Sequence, residues 1–308
     1  MNSGFTASSR TPPADIRRAL RKEVGFGCPE CRLPFLMFHH FDPPWAVGRI
    51  HRIEGMIALC PTCHSHADGG AYTVDQLRQM KMSPPSTPPA GRLPWRPRSA
   101  VIAIGRNFFI TGINKTFSVR VAGVRAFSLS PDARGNLLVS MQAWDGNGER
   151  LLQIENNDIT YIASHVGDIS FSARANHLMV CGYNDLVHLK VYYQLENEHK
   201  VVRRIVRDMM DSRSAAAKLP RLFEACAIEC VRSCRGSDGN VQVLNIELCL
   251  TGKSGNLRAT QKYVEFDMSG VGYDRPRLEG KCAGTNHITI VYGQEEALHL
   301  GSEDVPLG

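Results

Sequence analysis

No apolar run in this chain reaches about 18 residues, the length a helix needs to cross a bilayer, so no membrane partner is expected. The first ten residues, MNSGFTASSR, contain no apolar stretch of the secretory type, and a cytoplasmic setting is the expectation. In that setting a disulfide framework is not expected from the ten cysteines. Aromatic residues make up only 7%, with no regular stripe on which unpaired bases would stack. No nucleotide-binding glycine loop, Ser-His-Asp set or helicase motif stands out. Residues 99–308 lack net charge, with 23 Lys and Arg facing 23 Asp and Glu.

What the sequence does have is concentrated in its first third. Residues 1–98 carry 13 Lys and Arg against 7 Asp and Glu, the whole +6 of the 308-residue chain. A local excess of this kind suits a polyanion, most simply nucleic acid, although a solvated basic surface would look the same. A hydrophobic fraction of 43% and a charged fraction of 21% exclude global disorder, and the length allows two or three domains.

TPPADIRRALRKEV reads as a first helix, with Thr11 as its cap and Ile16, Leu20 and Val24 as an apolar stripe. GFGCPECRLPFLMFHHF reads as a cysteine knuckle followed by a strand, and RIHRIEGMIAL as a second strand that closes a hairpin. A short helix starts at CPTCHSHAD, and Thr73 with Gln76 forms a capping-box pattern before another. Ser83–Arg98 holds six prolines and reads as a semi-rigid linker. Beyond it, short apolar runs separated by Gly, Asn and Asp predict strands, with a hairpin turn at Asp145-Gly146-Asn147-Gly148. Lys200–Asp211 predicts an amphipathic helix, and HITIVYG a late strand. The expected class is α+β: a small domain over 1–82, a linker over 83–98, a β-rich subdomain over 99–195, and a helix with a second β-rich subdomain over 196–308.

Five of the eleven histidines and four of the ten cysteines fall between Cys28 and His66. Cys28 with Cys31, and Cys60 with Cys63, form two CxxC pairs that can supply four thiolates in the tetrahedral geometry of a structural zinc. His39 and His40 are adjacent between the pairs, and His64, His66 and Asp68 follow directly after the second. His64 and Asp68, spaced i, i+4, share one face of a helix.

This order of strand, HH, strand, CxxCH and helix resembles the HNH, or ββα-metal, nucleases of the type stapled by a four-cysteine zinc. VGFGCPECRLPF, FHHF, IEGMIALCPTCH and GAYTVDQLRQMK carry the resemblance, over about residues 17–82. It implies a ββα-metal fold and metal-dependent cutting of phosphodiester bonds in DNA, with products ending in 5′-phosphate and 3′-hydroxyl. It makes His40 the general base that deprotonates the attacking water. It makes His39 and His64 ligands of a single catalytic cation, Mg²⁺ or another divalent ion, and puts Asp68 where some relatives supply a further ligand. One position departs from the pattern: Gly55 stands five residues before Cys60, where the family has an Asn that orients the catalytic loop or adds a ligand. Glu54 and His51 are the nearest groups that could stand in. Strand alternation would also send His39 and His40 to opposite faces, unless a bend at Phe41-Asp42-Pro43-Pro44 brings both to the metal.

Arg17, Arg18, Arg21 and Lys22 on the first helix, with Arg49 and Arg52 in the hairpin, are the candidate phosphate contacts. His51 and His66 read as surface or supporting groups, Asp42 as a turn cap, and Trp45 as a packing residue. Cys226, Cys230 and Cys234, at i, i+4 and i+8, read as thiols on a helix face rather than as a metal site. The expected function is an HNH endonuclease acting on double-stranded DNA, and the layout fits a nuclease of bacterial defence by analogy alone. Residues 99–308 would bind target, protein partner or signal, or drive homo-oligomerisation. The alternative is a catalytically inactive, zinc-containing nucleic-acid-binding protein.

Overall fold

The computed structural model describes residues 9–104, 107–111, 116–121, 124–145, 147–183, 186–209, 220–252, 255–259, 264–267 and 298–300. The strand expected at HITIVYG lies outside them. Among the described residues, helices mix with strands in three sheets, as an α+β protein. No helix there is long and apolar enough to cross a membrane.

The chain divides into two compact units, Met1–Leu93 with Asp158–Leu186, and Pro94–Asn157 with Val187–Gly308. These limits differ from the expected ones at 82, 98 and 195. Residues 158–186 group with the N-terminal unit, and the proline-rich stretch is not a free spacer. Gly91 and Arg92 pair as a short antiparallel strand with Ile159 and Asp158, and the side chains of Arg92 and Asp158 lie 2.8 Å apart. Leu93 is buried just after them. Prolines permit such a short pairing while preventing a longer one.

In the N-terminal unit, α1 (Ala14–Glu23) buries Leu20 and packs Ile16 against the core, and Val24 is buried just past its end, as the stripe predicts. Its N-cap is Pro13 rather than Thr11, without a side-chain hydrogen bond. β1 (Met37–His40) and β2 (Met56–Leu59) pair antiparallel, with His39 opposite Ile57 and His40 opposite Met56. The second strand is shorter than expected, because Arg49 adopts a left-handed conformation and Ile53–Gly55 forms a 3₁₀ turn. All four side chains of β2 are buried, which makes it the floor of the core. Between the strands lies α2 (Trp45–Gly48). After β2, α3 (Pro61–Asp68) starts with Pro61 at its first position and Cys60 as its cap. α4 (Val74–Met82) starts with the expected capping box: Gln76 N–H donates to Thr73 Oγ1 at 3.2 Å, and Thr73 N–H to Gln76 Oε1 at 2.8 Å. The segment 158–186 is tied on by a buried ion pair, in which Arg21 Nε donates to Asp168 Oδ1 at 2.9 Å while its Nη2 engages Oδ2. Phe35 and Phe171 meet edge to face at 5.4 Å.

The second unit is mainly β. Val187–Asn197 and Asn240–Gly252 form a long antiparallel ladder, from Leu189 opposite Leu248 to Asn197 opposite Asn240. Ala100–Ile104 joins Asn240–Gly252 in parallel. A meander runs through Phe117–Val121, Val124–Pro131, Leu137–Trp144 and Arg150–Glu155. Its last turn is closed by Asp145, whose Oδ1 accepts from the N–H groups of Asn147 and Glu149, both at 2.9 Å. Helices Glu198–Met209 and Pro220–Arg232 pack Val201, Ile205, Ala227 and Val231 on the sheet.

Candidate metal centre and histidine cluster

Cys28, Cys31, Cys60 and Cys63 come together with all ligand atoms within 4.8 Å of one another, and they could hold a metal ion such as zinc. Cys31 Sγ is 3.5 Å from Cys60 Sγ and 4.0 Å from Cys63 Sγ. Tetrahedral zinc with Zn–S bonds of about 2.3 Å sets that edge at about 3.8 Å. The knuckle is a tight turn in which Arg32 N–H donates to Cys28 O at 2.8 Å and Cys28 N–H to Leu33 O at 2.9 Å. Arg32 itself has a positive φ of 63°, and its guanidinium satisfies the carbonyls of Val24 and Gly27 beside the thiols. Burial and the neighbouring sulfurs push the Cys31 thiol up to about 11, and Cys63 higher still. Cys60 moves down: the Cys63 N–H and the surrounding thiols outweigh its burial. A divalent cation removes the repulsion that crowded thiolates otherwise meet.

About α3, a second group converges. His39 and His64 are buried, and their rings meet edge to face at 5.2 Å. His39 Nδ1 is 3.2 Å from Asp68 Oδ1. His64 Nδ1 is 3.2 Å from Asp68 Oδ2, across one helical turn. The ligand atoms of the three lie within 4.8 Å of one another. Burial first, then His64, holds the His39 imidazole below its ordinary pKa, so a nitrogen lone pair is available at neutral pH.

His40 takes a different direction. It is 4% exposed, and its Nε2 is 3.0 Å from His51 Nδ1. Its Nδ1 is buried and has no hydrogen-bond partner among the described residues. Burial, then His51 and Arg10, pushes this imidazole down to about 4. Trp45 stacks on His51 at 5.1 Å and leans on His40 at 5.0 Å. The doublet is thus divided: His39 belongs to the group of three, and His40 to a separate pair. The chain bends directly after it, because Phe41 N–H and Asp42 N–H both donate to Gly55 O, at 2.9 and 3.1 Å. Gly55 therefore orients the loop with its own carbonyl. A Cβ at this position would lie 1.7 Å from Asp42 O, so no side chain fits there.

The expected phosphate contacts fare unequally. Arg21 is buried and committed to Asp168, and Arg18 Nε is 3.7 Å from the same carboxylate. Arg17 is half-buried, with Nε enclosed and unpartnered. Lys22, Arg49 and Arg52 are exposed, although Arg52 Nη2 reaches Asp42 O at 3.3 Å. Asp42 pairs with Arg78, and His66 is exposed. Of the two groups that could replace the missing Asn side chain, His51 joins the cluster, while Glu54 is exposed. Sequence reasoning missed Ser9, whose carbonyl lies 3.0 Å from His51 Nε2, and Arg10, whose Nη2 is 3.8 Å from Asp68 Oδ1. No local spacing signals either contact. No protein-family model, curated protein or solved structure matches this chain.

Proposed function

We propose that the chain is a metal-dependent endonuclease of the HNH type that hydrolyses phosphodiester bonds in double-stranded DNA. The observation that carries this reading is the convergence of His39, His64 and Asp68, with His40 next to His39 in the chain and its buried Nδ1 without a hydrogen bond among the described residues. His39, His64 and Asp68 would hold a divalent cation. The donor set fits one, because one ligand atom from each of the three residues lies within 4.8 Å of the other two. Two imidazoles and one carboxylate suit Mn²⁺ or a later transition ion better than Mg²⁺, which prefers oxygen. When bound, such an ion supplies charge neutralisation at the scissile phosphate and the leaving oxygen.

The chain's own residues do the rest. His40, neutral at pH 7, accepts the proton of a water at Nδ1. That water's oxygen bonds to phosphorus as the bond to the 3′ oxygen breaks, leaving 5′-phosphate and 3′-hydroxyl ends. Exposed Lys22, Arg49 and Arg52 contribute phosphate contacts, and Arg10 adds positive charge at the edge of the site. The cysteine site holds structural zinc, for which a reducing cytoplasmic setting is suitable. The mainly-β unit serves target binding, partner binding or self-association.

Gly55 in place of the family's Asn favours the other reading, a zinc-containing nucleic-acid-binding protein that does not cut. Incubating supercoiled plasmid with the full chain and Mn²⁺, Mg²⁺ or EDTA separates the two. The expected result is nicking with a divalent ion, Mn²⁺ ahead of Mg²⁺, and none in EDTA. His40→Ala should lower the rate by about 10²–10⁴ while leaving DNA retention in a gel shift little changed. A zinc-loaded wild type that binds DNA and never cuts it establishes the non-catalytic reading.

A further inference from the structure

We propose that His51 is a positioning residue that fixes the tautomer and ring orientation of His40, and that the Ser9 carbonyl fixes His51 in turn. The proposal rests on the nuclease reading for its consequence, but not for its geometry. A carbonyl oxygen only accepts, so His51 Nε2, 3.0 Å from Ser9 O, carries a proton. A neutral imidazole has one N–H, which leaves His51 Nδ1 as a lone pair. His40 Nε2, 3.0 Å from that lone pair, must therefore be the donor. The single proton of neutral His40 is then on Nε2, and its buried Nδ1 is left unprotonated and unpartnered. Two rings in series thus turn one backbone carbonyl into a base nitrogen aimed away from it.

The surroundings hold this arrangement in place. Trp45 lies almost parallel to His51, at 21°, and tilts against His40 at 53°. His40 and His51 are 42° apart with ring centroids at 5.2 Å. The backbone between them is pinned by the two amides that donate to Gly55 O. Without His51, His40 Nε2 loses the acceptor 3.0 Å away, and its ring can turn over and exchange Nδ1 for carbon at the reacting position.

The test uses the full-length chain with ¹⁵N-labelled histidine. In the wild type, ring-nitrogen correlation spectra should show His40 protonated at Nε2 and bare at Nδ1. His51→Phe keeps a flat ring against Trp45 but removes the acceptor. It should blur or invert the His40 pattern and lower kcat about 10- to 100-fold, the usual cost of losing a supporting hydrogen bond, with KM for plasmid and zinc content little changed. His51→Asn, whose amide oxygen replaces Nδ1 as acceptor, should restore the Nε2–H signal and most of the lost rate. A wild-type His40 protonated at Nδ1 would overturn the proposal, as would a His51→Phe chain with an unaltered His40 pattern. Should the wild type never cut while His51→Phe still scrambles the His40 tautomer, the relay stands and the nuclease reading is what fails. Should His51→Phe cut at the wild-type rate, the nuclease reading stands and the relay is what fails.

Discussion

Asn157 and His40 are both polar and both buried, one in each unit, and the two are held in different ways. In the mainly-β unit, Asn157 Oδ1 accepts from Val139 N–H at 2.7 Å and its Nδ2 donates to Trp95 O at 2.6 Å. Buried Glu198 is likewise held by Arg235 at 3.0 Å and Arg232 at 3.6 Å. In the N-terminal unit, His40 Nδ1 is buried without a hydrogen bond among the described residues. An open group of that kind costs about 1–3 kcal/mol. Such atoms are not confined to that unit: in the mainly-β unit Gln142 Oε1 and Arg204 Nε and Nη2 are also buried without a hydrogen bond among the described residues. What sets the N-terminal unit apart is the four-cysteine cluster and the buried Arg21–Asp168 pair beside its four-residue strands.

Removing a cysteine should break this contrast most severely. Structural zinc in small domains contributes roughly 10–16 kcal/mol of coupled folding energy. Cys60→Ser should lose the bound zinc and unfold the hairpin region, while amides of the Leu189–Asn197 ladder stay protected in hydrogen exchange. Equal loss of protection in both units would show that their stabilities are not separate. Opening a closed group comes next. Asn157→Ala orphans Val139 N–H and Trp95 O and should destabilise the mainly-β unit by about 2–4 kcal/mol in urea unfolding, with zinc content unchanged. A loss of under about 0.5 kcal/mol would mean that Asn157 is not the closed group its contacts describe. The smallest effect sharpens the contrast at one residue. Gly55→Asn introduces the side chain of the HNH pattern but drives a Cβ into Asp42 O, so it should cost about 1–3 kcal/mol and bring no gain in cutting. A variant that folds as well as wild type and nicks plasmid faster would show that the Gly55 carbonyl is no substitute for the Asn.

Several features could be read directly from the sequence because they are local. The CxxC pairs, the i, i+4 spacing of His64 and Asp68, the Thr73–Gln76 capping box and the Asp145 turn each depend on a few consecutive residues. What stayed hidden depends on distant partners. Arg21 read as a phosphate contact on a basic helix, whereas Asp168 meets it from 147 residues away. Ser9 reaches His51 across 42 residues, and Gly91–Arg92 finds its strand at Asp158–Ile159. No periodic signal encodes such pairings. Gly55 was legible as a departure from a family pattern, but only the course of the Asp42 backbone explains why a glycine is required there.

The Arg21–Asp168 pair also imposes an order in time. A fragment that ends at residue 98 leaves the buried Arg21 without its carboxylate, a loss of about 3–5 kcal/mol for a broken buried pair. During synthesis, the first 93 residues must therefore wait for residues 158–186 before their unit is complete. At about 5–20 residues per second, that delay is roughly 5–20 s. The nascent chain has emerged past its histidines long before Asp168 reaches Arg21, so the unit that holds them is completed late in translation.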